Sequence, residues 1–127
     1  MENVVVLAHD EDVRVDAEVL AELRIQLGEA GAEGVIARAM EETANRLSRI
    51  EHTYCEQDAE ALWRSAKGLV GIAEQIGMAS LAQGARAVAD AALNGDHVAL
   101  AAVVNRLMRL GDRSLTAMWE LPELSTY

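Results

Sequence analysis

From residue 16 onward the apolar residues recur in steps of three and four, the spacing of one face of an α-helix. Val19, Leu20, Leu23 and Leu27 form such a face behind Asp16, whose short carboxylate suits an N-cap, and the pattern breaks near Gly28 and Gly31. Ile36, Met40, Thr43, Leu47, Ile50 and Tyr54 carry a second, longer helix over about 32 to 56. Asp58 then caps a third helix that runs to about Gly77, and a fourth spans about 79 to 93. The Asn94-Gly95-Asp96 triplet reads as a stop followed by a new N-cap. The fifth helix starts near His97 and carries Val98, Ala101, Val104, Met108 and Leu115, with Gly111 weakening it locally and Pro122 marking its end.

Short connections between long helices force antiparallel neighbours. The predicted fold is therefore all-α: an antiparallel up-down four-helix bundle with a short extra N-terminal helix over one end. Residues 1–15 read as an N-terminal extension, in which the apolar stretch 4–7 is an extended arm or a helical extension. Residues 16–119 form the single domain, and 120–127 a C-terminal tail.

Composition sharpens this picture. Half of the chain is apolar (51%), yet aromatics are 3% and Phe is absent, so the core is built from Ala, Leu, Val, Ile and Met. Abundant alanine favours helix and permits close helix contacts. The formal charge is −10, which argues against nucleic acid, since phosphate binding calls for clustered Lys and Arg. Eight acids against two arginines fall in the first thirty residues. Cys55 is alone, so neither a disulfide nor a thiolate metal site is expected. No apolar run is long enough for a membrane span, no cofactor motif is present, and the expected location is cytoplasmic.

The third helix has two distinct faces. Leu62, Ala66, Leu69, Ala73 and Ile76 repeat as a seam suited to burial. At about 100° per residue, Lys67 lies about 140° from the middle of that seam and points to solvent. Lys67 is the one lysine of the chain. Gly68 and Gly71 sit beside it, where glycine costs about 1 kcal/mol relative to alanine. Helix propensity gives no reason for them; a flat patch that lets another protein approach does, and so does relief of crowding within the bundle. Trp63 and Val70 lie at the margin and Glu60, Arg64 and Glu74 flank the strip. A large aromatic beside such a patch suits an interface anchor, or a rim residue packed on the neighbouring helix.

The run from Asp58 to Leu81 resembles the central helix of histidine-containing phosphotransfer (HPt) domains. Asp58, Leu62, Ala66, Leu69, Gly71, Gly77 and Leu81 fall in the family's register without a gap. Residues 16–24 resemble the family's first helix, and residues 81–96 its penultimate helix and following turn. Two positions depart: Lys67 stands where the family has its phosphoacceptor histidine, and Val70 where it usually has a lysine that helps neutralise phosphate. The resemblance implies a phosphorelay scaffold, with Gly71 giving a receiver domain access to the acceptor position. A lysine ammonium is protonated at neutral pH and is no nucleophile, so transfer through Lys67 is not expected. His9, His52 and His97 all lie outside this strip.

These readings predict a non-phosphorylatable HPt-like signalling module, not an enzyme. Its docking surface is Trp63, Arg64, Lys67, Gly68, Val70, Gly71 and Glu74, and its partner is a response-regulator receiver domain or a histidine kinase. Two alternatives stay open: a structural or self-associating bundle, and phosphotransfer through an unexpected residue. Serine-histidine-aspartate chemistry, phosphate loops and Glu-x-x-His metal pairs have no sequence support.

Overall fold

The computed structural model describes the backbone of residues 4–6 and 13–124, and the side chains of residues 13–118. Four helices follow a two-stranded hairpin: β1 Val4–Val6, β2 Arg14–Asp16, α1 Ala17–Cys55, α2 Ala59–Gln75, α3 Ala79–Asn94 and α4 His97–Leu124. Helices α2 and α3 pack most extensively, with α1 against α2 and α4 against α3.

The expected separate N-terminal helix is corrected. Residues 17 onward form the first arm of α1, joined to the rest across a kink at Gly28 (φ 75°, ψ 172°). That conformation is essentially closed to residues with a Cβ, which is why the bend falls there. Asp16 caps α1 as predicted, its Oδ1 accepting from Glu18 N at 3.0 Å and Val19 N at 3.4 Å.

The apolar stretch near the N-terminus is extended where it is described, with Val4 paired to Asp16 and Val6 to Arg14 in antiparallel register. Leu7 lies outside the described residues. Strand β2 then docks on the α2–α3 turn: Asp16 N donates to Gly77 O at 2.6 Å, and Arg14 N donates to Ser80 Oγ at 2.7 Å. Val15 within it and Val13 just before it are buried. The bundle is thus sealed at this end by a strand, which helical periodicity cannot reveal.

The predicted seam of α2 is the centre of the core. Leu62, Ala66, Leu69, Ala73 and Ile76 are all buried, against Met40, Leu47 and Ile50 of α1 and Leu81, Ala85 and Val88 of α3, among others. Helix α4 presents a different face from the expected one. Val104 is buried as expected, but its buried companions are Leu100, Leu107 and Leu110, whereas Val98 is exposed and Ala101, Met108 and Leu115 are half-buried. The helix has apolar residues on more than one side, so periodicity alone does not choose between faces. Close approach chooses. A Cβ on Gly111 would meet Leu47 Cδ1 at 2.5 Å, and one on Gly84 would meet Leu110 Cδ1 at 3.0 Å. Gly111 is therefore a contact point between α4 and α1 rather than a weak spot. The helix also continues to Leu124, beyond the boundary expected at 119.

Two hydroxyls in this core, Thr43 Oγ1 on α1 and Ser114 Oγ on α4, are buried without a hydrogen-bond partner among the described residues. An orphaned buried hydroxyl carries its desolvation cost uncompensated. Thr43→Val keeps the shape and removes the hydroxyl, so it is expected to raise stability by about 1 kcal/mol. Urea unfolding checks this: the midpoint rises with the slope unchanged.

Candidate functional site

Helix α2 starts at a local signal, Asp58 Oδ1 accepting from Ala61 N at 3.1 Å. With the seam fixed inward, the opposite side must face solvent. Glu60, Arg64, Lys67, Gly71 and Glu74 are all exposed, within an arc of about 80°. Trp63 and Val70 are half-buried on the flank and pack against the core cluster. Gly71 is open, with nothing within 4 Å of a Cβ built on it.

Gly68 is not part of a flat open patch, which corrects the sequence expectation. The guanidinium of Arg46, from α1, lies over it: a Cβ on Gly68 would come within 3.0 Å of Arg46 Cζ and closer still to Nη1. An arginine from the neighbouring helix thus occupies the side-chain space at Gly68. Arg46 and Arg86 are two residues of this region that sequence reasoning missed. The mid-helix Gly68 was a signal of close approach, but it does not say what approaches.

The charges around the strip are arranged in pairs. Arg64 Nη2 meets Glu60 Oε2 at 2.9 Å one turn back, and Arg46 Nε meets Glu42 Oε2 at 3.4 Å on α1. Arg86 of α3 pairs with Glu74 of α2, tying the two helices across the strip's edge. Each exposed pair contributes about 0–1 kcal/mol at most, so stability is not the main consequence. The main consequence is local charge balance. Among the described residues, Lys67 is the cation of this strip with no ion-pair partner.

The histidines are elsewhere. His52 Nε2 meets Glu56 Oε2 at 3.3 Å near the end of α1, and His97 is the exposed first residue of α4. His9 lies outside the described residues. Among the described residues no group of three or more His, Cys, Asp or Glu is placed to hold a metal ion. No helix among them is long and apolar enough to cross a membrane. A shallow cleft lined by Glu18, Glu22, Leu23 and Gln75, with Val19 and Gln26, shares no residue with the strip.

The architecture has a solved counterpart. The structure of histidine-containing phosphotransfer protein B from Pseudomonas aeruginosa PAO1 superposes with a TM-score of 0.76, covering 89% of this chain and 96% of that one. Identity is 20%, so the likeness is one of fold. No family model and no curated protein matches the chain. The four-helix arrangement and its resemblance to an HPt protein therefore stand on structure, while the Lys67 strip stands on its own geometry.

Proposed function

We propose that this protein is a docking module of two-component signalling that keeps the binding face of an HPt domain and carries no phosphoacceptor. Three observations support the reading. The fold is similar to that of a phosphotransfer protein. Lys67 occupies the position at which the sequence resemblance places the acceptor histidine. And among the described residues Lys67 alone of the strip's cations lacks an ion-pair partner. The last observation carries the proposal: in a chain of net charge −10, an exposed unpaired ammonium beside the open Gly71 is suited to an acidic pocket on another protein.

The partner is a receiver domain or a histidine kinase, and the mechanism is occupancy. Gly71 lets the partner's surface reach α2, and Lys67 projects into the carboxylates of the partner's phosphorylation pocket. Trp63 and Val70 supply the apolar margin. With Lys67 in place of the acceptor histidine, the complex forms without transfer.

Purified receiver domains encoded in the same genome test this by titration calorimetry. At least one is expected to bind, with Gly71→Arg and Lys67→Glu each weakening the complex about 100-fold or more. Incubation with the phosphorylated receiver is expected to leave no acid-labile phosphate on this chain. Stoichiometric labelling, or binding indifferent to both substitutions, defeats the proposal.

A further inference from the structure

Arg46 sits in an unusual place for a residue with so little to hold it. Its guanidinium lies on the backbone of α2 at Gly68, the residue that follows Lys67. Among the described residues its one hydrogen-bond partner is Glu42, reached through Nε at 3.4 Å, the long end of an ionic contact. Its two Nη groups, which carry most of a guanidinium's donors, have no partner there. The side chain as a whole is about one-third exposed (33%), so it is not sealed inside the bundle. Arg64 and Arg86 differ: each already has a tight carboxylate partner on or across the strip.

The placement of this arginine is built into α2. A side chain at position 68 would fill the space that the guanidinium occupies. Around the helix axis Gly71 falls between Lys67 and Gly68, about 40° from the first and 60° from the second. The open Gly71 is thus bordered by Lys67 on one side and, on the other, by a cation delivered from α1.

We infer that Arg46 is the second cation of this docking face, and that the face selects a partner presenting at least two carboxylates, one on each side of Gly71. The inference rests on the docking reading above and deepens it. Lys67 supplies a point charge. Arg46 supplies a planar fork able to take a carboxylate through both Nη groups, a geometry lysine does not reproduce. The weak contact to Glu42 keeps the guanidinium near Gly68 in the free protein and is exchanged for the partner's carboxylate on binding.

The test compares Arg46→Ala, Arg46→Lys and Lys67→Glu in the full chain, against the receiver domain bound by the wild type, over a range of salt concentrations. Arg46→Ala is expected to weaken binding about tenfold and to flatten its salt dependence, with Arg46→Lys recovering only part of the loss. Gly68→Ala, which displaces the guanidinium and keeps its charge, is expected to weaken binding as well. Unfolding midpoints of the variants confirm that each is folded. If Arg46→Ala binds like the wild type while Lys67→Glu does not, the role of Arg46 is overturned and the docking reading survives. If the wild type binds neither the receivers nor the histidine kinases encoded in the same genome, the docking reading falls and this inference with it.

Discussion

Gly77→Ala is expected to destabilise the protein by roughly 2–4 kcal/mol, a large share of the ~5–15 kcal/mol that holds a domain folded. Two separate causes add. Gly77 has φ +74°, a left-handed conformation that costs about 1–2 kcal/mol for a residue with a Cβ. A Cβ there would also lie 2.7 Å from Asp16 O, a backbone atom that cannot rotate away. Moving it means moving β2, which is held by the Asp16 N to Gly77 O bond and by burial of Val15 and the adjacent Val13. Gly95 provides the control. Its φ is +68°, and nothing lies within 4 Å of a Cβ built on it. Gly95→Ala should show the conformational cost alone. Urea unfolding of the two variants separates the causes, and equal losses would mean that the docking of β2 contributes nothing.

Leu69→Ala is expected to cost about 3–5 kcal/mol, the upper part of the range for a buried leucine reduced to alanine. Leu69 is fully buried in the seam of α2, between α1 and α3. Its surroundings are regular helices on both sides, so the cavity has little freedom to collapse. Lys67→Ala, two residues away on the opposite side, is expected to leave stability within about 0.5 kcal/mol, as surface substitutions do. The contrast has a functional use. A Leu69 variant that lost partner binding would have lost it through unfolding, whereas Lys67→Ala acts on the exposed face alone. Thermal melts and urea titrations of the pair measure the difference. Similar losses at both positions would show that the strip is part of the packed core.

Much of the path to the site was legible in the residues. Asp16 and Asp58 announce the starts of α1 and α2 because a cap is a hydrogen bond to an amide two or three residues away. Asp96 does the same for α4, accepting from Ala99 N at 3.0 Å. The seam of α2 was legible because five apolar residues keep one spacing and no other face of that helix competes. With the seam fixed, the exposure of Lys67, Arg64 and Gly71 followed from geometry. On α4 the same reasoning picked Val98 and Met108 over Leu100 and Leu107, because the helix has apolar residues on several sides. Gly68 is covered although its place on α2 suggests an open patch, since nothing in its neighbourhood of sequence names Arg46.

The sequence by itself determined the spans of α2 and α3, the capped starts of α1, α2 and α4, and the inward face of α2, and so the solvent-facing position of Lys67. These depend on hydrogen bonds and periodicities within a turn or two of chain. Tertiary structure alone decided the docking of β2 on the α2–α3 turn, where Arg14 and Ser80 meet across 66 residues. It also decided which face of α4 is buried, the Arg86–Glu74 tie between α3 and α2, and the seat of Arg46 on Gly68. Each of these is a contact between separate elements. It is fixed by how closely two backbones approach, and glycine spacing permits that approach without specifying the partner.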